Sequence, residues 1–419
     1  MEQQQIEVRL WQHSAIFLFA CGLLVTRRPD SILHPQFWAE DGQVFFADAY
    51  NSGWWASLFH TNVGYFHALP RLGAALALLA PLSLAPLALN LIAIAAQALP
   101  VNLLLFSRSS VWGSLRFRAL LAAIYLALPN CRELSAIITN SQSPLALSAF
   151  ILLVASTPRG AVGRLLDILF VLLCGLSGPY CIFLLPIALF LAWKYRDRWR
   201  WAPVGALAAS CLVQAWGLLI VSPAARPHYL LGTSPALFAR ILAGQVYLGA
   251  LLGSNSLAFR PSNGLPIFLV SVAIGGTAIV AICFVKSALE MRLFLLFSFI
   301  VLAASLISPI VSPRAGVTVW EQMARTSGIH YWFFPTLAFA WSLLLCFNSR
   351  TALLKVLGGY LLFFMCIGIV RDWRHPAFQD LHFQEYARSF EAAPVGTAFT
   401  IPLNPEGWDM RLVKRLPER

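Results

Sequence analysis

Charge is scarce in this chain. Asp, Glu, Lys and Arg make up 11% of 419 residues, against 59% hydrophobic, and mean hydropathy is +0.71. So little charge excludes a soluble globular domain. Acidic residues are scarcer than basic ones, 18 against 30, for a formal charge of +12. Nucleic acid is nevertheless not the expected partner, because the Lys and Arg fall in short loops between apolar runs, where topology and anionic lipid account for them. The eight cysteines are scattered, with no C-x-x-C or Cys/His ligand spacing, which argues against a disulfide framework or structural zinc. There is no D-x-D and no Gly-rich nucleotide loop. An A-x-A-like cleavage site is also missing after the apolar run Ala15 to Val25, so that run reads as a retained first span.

What is present is a succession of apolar runs near the roughly 20 residues a bilayer-crossing helix needs, without the alternation of barrel strands. The expected fold is all-α and polytopic, with spans at about 12–27, 84–106, 118–130, 144–156, 164–178, 180–194, 202–221, 265–285, 293–311, 331–347 and 353–370. Residues 72–82 and 237–253 are read as lying outside the membrane, the first as an interfacial helix. With the N-terminus in the cytoplasm, the inner segments hold 14 Lys and Arg in short stretches and the longer outer loops hold nine, before a tail that also emerges outside. The expected organisation is a transmembrane unit, 1–370, containing a long outer loop, 28–83, followed by a small extracytoplasmic segment, 371–419.

The outer loop HPQFWAEDGQVFFADAYNSGWWASLFHTNVGYFHALPRL carries the chemistry-bearing residues. Glu40 and Asp41 stand side by side, so one of them is expected to hold a proton or face a cation. A carboxylate at the membrane surface suits proton abstraction from an acceptor hydroxyl. The plainer reading is a solvated helix start, since acids favour the first turn. Trp38 and Tyr65 suit sugar stacking as well as an interfacial aromatic belt. Asn130, Arg132, Glu133, Asn140 and Gln142 gather in a later outer turn that fits sugar hydroxyls or an ordinary wet turn.

An acidic pair after the first span, then Gly53-Trp54-Trp55, then Gly64-Tyr65 with Pro70, resembles the first external loop of the GT-C superfamily of membrane glycosyltransferases. The chain departs from that pattern in reading Glu-Asp, in having one Pro for two, and in having Trp54 where Asp is frequent. It resembles more closely a set of bacterial membrane proteins with a W-A-E-D-G loop and a tail reading I-P-L-N-P-E-G-W, here Ile401 to Trp408, associated with surface-polysaccharide glycosylation. The resemblance implies an enzyme of the bacterial inner membrane with its active site facing the periplasm. It would move sugar from a polyprenyl-phosphate donor to a glycan or lipid acceptor, with inversion. Asp41 is the favoured general base and Glu40 its partner. Arg325, His330, Arg71 and Arg260 are candidates for the donor phosphate, with snorkelling to headgroups as the alternative for each arginine. Trp38, Tyr65, Glu133, Asn140, Gln142 and Tyr331 are candidates for sugar and acceptor. No cofactor is expected. Convergence of Glu40, Asp41 and Glu133 would be the route to a divalent metal, which is also not expected. A polysaccharide polymerase or ligase, a lipid-linked-glycan flippase and a membrane acyltransferase are the rival classes. The confinement of ionisable residues to span ends weakens a coupled transporter.

Overall fold

A computed structural model describes residues 10–222, 229–254, 267–311, 313–326 and 328–415. The chain is mostly helical. Among the described residues eight helices are long and apolar enough to cross a bilayer: Leu10–Arg27, Leu82–Leu105, Arg198–Val221, Pro235–Leu252, Ile267–Lys286, Leu289–Ile307, His330–Phe347 and Ala352–Asp372. The shorter helices Leu115–Ala127, Gln142–Val154, Ala161–Leu176 and Tyr180–Tyr195 pack among them. Their apolar side chains form one continuous core around Trp112, Phe150, Phe294, Phe297 and Trp341. Helix Ala68–Ala77 is only 10 residues long, about 15 Å at 1.5 Å per residue, too short to span.

Hydrogen bonds sort the connections into two ends. At one end, Arg108 bonds the carbonyl of Ser156 and pairs with Asp167, Arg200 bonds the carbonyls of Leu153 and Ala155, and Tyr195 bonds Glu290. At the other end, Arg27 bonds the carbonyls of Leu126 and Leu128, Asn130 bonds Asp372 and Gln245, and Glu133 meets residues 328–330. Expected inner loops meet one another at the first end, and expected outer loops meet at the second.

Pro235–Leu252 qualifies as a span by length and composition, although the sequence places 237–253 outside. Ala243 packs against Leu269 and Ala273, near the start of Ile267–Lys286. Gly253 abuts Gly368 and Asp372, at the finish of Ala352–Asp372. Both contacts belong to the second end, so the two halves of this helix approach the same side of the bundle. Its middle is a π-helical stretch, Ile241–Leu248.

The segment after Asp372 is built against the first loop. Helix Phe383–Ala392 and an antiparallel hairpin, Ala398–Leu403 with Trp408–Val413, bury Phe383, Phe390, Ile401, Leu403, Met410 and Leu412. Their partners are Phe37, Phe46 and Ala77 of the first loop, together with Leu82, Leu89 and Ile138. The hairpin alternates inward and outward side chains, as a strand pair with one buried face must. Loop and tail therefore pack as a single layer at the second end of the bundle, which gives the expected appendage a structural role.

Candidate active site

The W-A-E-D-G stretch has a separate physical job at each position. Trp38 stacks on Phe378 of the tail, with centroids 5.0 Å apart, and Phe378 in turn lies 4.3 Å beneath the Arg28 guanidinium. Ala39 sits at φ +30°, a conformation that L-residues rarely adopt, and its N–H donates to the Asn404 carbonyl. Gly42 is required by space: a Cβ there would lie 2.7 Å from Leu403 Cδ1 and 3.0 Å from Phe37 Cβ.

The two carboxylates face different environments. Asp41 is 1% exposed. It accepts hydrogen bonds from the backbone N–H of Ile138 (3.1 Å) and Thr139 (3.0 Å), and from the Thr139 hydroxyl. It thereby staples the first loop to the 132–141 turn. Burial pushes its carboxyl up to about 7 despite these three donors, with neighbouring Glu40 adding to the rise. With its oxygens enclosed and occupied, Asp41 cannot reach an acceptor in this arrangement. The geometry therefore disfavours the base role expected of Asp41 from the sequence.

Glu40 is half-buried and its carboxylate makes no hydrogen bond to another residue among those described. Burial raises its affinity for a proton above the ordinary carboxylate range; the approach of Glu133 adds to this and His330 opposes it. Glu133 and His330 are paired. His330 Nδ1 lies 3.2 Å from Glu133 Oε2, and the His330 backbone N–H donates to the same oxygen at 3.3 Å. Both side chains keep about a quarter of their surface exposed, 22% and 27%. Gly328 joins the two turns: its N–H donates to Asn130 Oδ1 (2.6 Å) and its carbonyl accepts from Glu133 N (3.0 Å).

The remaining sequence candidates divide. Asn140 is buried and donates to the Glu133 carbonyl at 2.8 Å, so it supports the turn. Gln142 starts helix Gln142–Val154 against Gly178, and its buried Oε1 has no partner among the described residues. Tyr65 is 8% exposed within a tight turn to Asn62, which withdraws its ring from any sugar. The Tyr331 ring lies against His330, centroids 4.1 Å apart and tilted 45°, and its hydroxyl accepts from Ile310 N at 2.8 Å. Arg71 is fully buried; its Nη1 meets Asp48 at 2.6 Å and its guanidinium lies 5.0 Å over Phe45, so it braces the loop interior. It is no longer a candidate for donor phosphate. Arg325 is exposed at the finish of a seven-residue helix that also carries Glu321, on which its charge acts. Arg260 lies outside the described residues.

Arg28, Arg132 and His375, none of them singled out from the sequence as a phosphate or acid–base candidate, gather around the Glu133 turn. Arg28 is 4% exposed, with Nε and Nη1 unpartnered. Burial lowers its proton affinity to about 10; Asp30 and Glu133 oppose this, Arg132 and Arg27 reinforce it. Arg132 is exposed, its stem packed on Gly328. His375 is held neutral, first by burial and then by Arg27, Arg28 and Arg132. The signal for Arg28 and Arg132 was present in the sequence, as charges flanking a span and within the Glu133 turn. Nothing in the sequence pointed to His375. Among the described residues no group of three His, Cys, Asp or Glu side chains is arranged to hold a metal ion.

No family model matches the chain, and no curated protein matches it.

Proposed function

We propose that the protein is a membrane glycosyltransferase that takes sugar from a polyprenyl-phosphate donor and places it on a glycan or lipid hydroxyl, with Glu40 as general base. The observation that carries this reading is a half-buried carboxylate at one end of a helical bundle, its proton affinity raised by burial, in the field of the Glu133–His330 pair and two residues from Trp38. Glu40 takes the proton of the acceptor hydroxyl as its oxygen bonds to the anomeric carbon. The bond from that carbon to the phosphate oxygen breaks on the opposite face, and its electron pair leaves with the lipid phosphate. Fixed cations stabilise that developing charge best in a site that excludes water. Arg132 offers the exposed guanidinium, with Arg28 behind it. The Glu133–His330 pair sets the field at Glu40. Trp38, fixed by Phe378, presents an aromatic face beside the base.

In this reading the site end faces the periplasm of the bacterial inner membrane, with the N-terminus in the cytoplasm and the tail outside. The basic loops of the opposite end support that sense. Purified protein in liposomes, supplied with a polyprenyl-phosphate sugar and a candidate acceptor, is expected to consume donor and release polyprenyl phosphate. The acid limb of its rate profile should lie above the pKa of an ordinary glutamate, about 4.3. A rate independent of pH across that region, or movement of intact donor between leaflets without cleavage, would count against the enzyme reading.

A further inference from the structure

We infer that Asn404, in the tail, is a positioning residue for Glu40, so that the extramembrane tail is a working part of the active site. This rests on the transferase reading above and deepens it. The Asn404 carbonyl accepts the N–H of Ala39, and Trp38 and Asn404 form a parallel backbone bridge. Asn404 cannot drift, because its own side chain is 4% exposed and fully engaged. Its Nδ2 donates to Gln36 Oε1 (3.2 Å) and to the Gln379 carbonyl (2.9 Å), and its Oδ1 accepts from Gln379 N (3.0 Å). Gln36 Oε1 also accepts from Leu381 N at 3.3 Å, so the side chain just before the motif joins the same knot.

The consequence is mechanical. Ala39 at φ +30° is strained, and such strain persists only where surrounding contacts over-determine it. Asn404 supplies those contacts on one side. On the other side, Asp41 is fixed by Ile138 and Thr139, and its N–H bonds the Trp38 carbonyl at 2.7 Å. Glu40 lies between two anchored neighbours, one tied to the tail and one to the bundle. That aims its carboxylate towards Glu133 and His330 and away from the bonds that engage Asp41. If the knot loosens, Ala39 relaxes to negative φ and the carboxylate swings.

The test is Asn404→Ala in the full-length protein in liposomes, with Ala39→Gly/Asn404→Ala as a rescue variant. Glycine tolerates positive φ without strain, so it should hold Glu40 near its place even without the knot. Asn404→Ala is expected to lower kcat about 10- to 100-fold, with KM for the donor changing less than about twofold, as for a misplaced catalytic group. The acid limb of its rate profile should move down towards an ordinary carboxylate, and the double variant should recover most of the lost kcat. A second readout needs no activity: amide hydrogen exchange at residues 38–41 should rise in Asn404→Ala while that of the spanning helices is unchanged. Loss of rate together with a general fall in thermal stability, an unmoved acid limb and no rescue would overturn the inference. Increased exchange at 38–41 in a protein that transfers no sugar would preserve the clamp and overturn the transferase reading instead.

Discussion

The two ends of the bundle treat their arginines differently. At the end away from the site, guanidinium groups close off backbone carbonyls. Arg118 bonds those of Gly113, Ser107 and Ser109, Arg200 those of Leu153 and Ala155, and Arg292 those of Ser287 and Val285. These are cations where helices finish and orphan carbonyls need donors. At the site end, Arg27, Arg28 and Arg71 are buried with at least one guanidinium nitrogen unpartnered, and so are His67 and His375. Among the described residues, every buried charged or imidazole nitrogen left without a partner is at this end. At the opposite end the unpartnered buried polar atoms are neutral, the indoles of Trp112 and Trp199 and the amide oxygen of Asn102, so the two ends differ in leaving basic groups, rather than neutral ones, without partners. The strained Ala39 is at the site end.

The comparison can be sharpened by mutation, beginning with the largest expected cost. Asp41→Asn replaces an acceptor for three donors with a group that points its own N–H₂ at one of them. It should lower stability by about 3 kcal/mol, read as a drop in the thermal midpoint. The same variant carries a pH signature. The folded carboxyl is raised to about 7 from an unfolded value near 3.9, so its contribution to stability is fully present below about pH 4 and is lost as pH rises towards 7. Thermal midpoints of the wild type should therefore carry a falling component between pH 4 and 7 that Asp41→Asn lacks.

Arg71→Met should cost about 2 kcal/mol. It breaks an ion pair whose cation is buried, but Asp48 is a third exposed and keeps His60 at 3.3 Å. Gly42→Ala should cost about 1–3 kcal/mol through overpacking against Leu403 and Phe37, loosening tail from loop. Limited proteolysis after residue 372 would report that loosening. Arg200→Ala, at the opposite end, should cost about 1 kcal/mol and leave sugar transfer unchanged. A large loss of transfer in Arg200→Ala would erase the distinction between the two ends.

Much of the helical scaffold was legible in the sequence because apolar runs near 20 residues mean one thing in a chain with this little charge. The interfacial reading of 72–82 followed from charge in later loops, and a ten-residue helix occupies most of that stretch. Pro235–Leu252 was harder to read, since its length suits a span while its contacts return both halves to one side. The candidate site was legible in part: residues picked from the first loop, Glu133 and His330 come together although they are far apart in sequence. The different surroundings of Glu40 and Asp41 were not legible. They depend on the Ile138 and Thr139 amides, about a hundred residues away, which occupy one carboxylate and leave the other free. The role of the I-P-L-N-P-E-G-W stretch was hidden for the same reason, because Asn404 acts on Ala39 across nearly the whole chain. Sequence pattern reports periodicity and local turns; it carries no signal for a single buried amide meeting a strained residue.

The central claim is that Glu40, and not Asp41, is the base of a glycosyl transfer. Its most direct test is Glu40→Gln in liposomes, with initial rates of donor cleavage read against thermal midpoints. The account predicts loss of transfer by about a thousandfold, within the range for removing a general base, with the midpoint unchanged because Glu40 bonds no other described residue. Wild-type transfer in Glu40→Gln, with transfer lost only when Asp41 is changed without loss of stability, would contradict it.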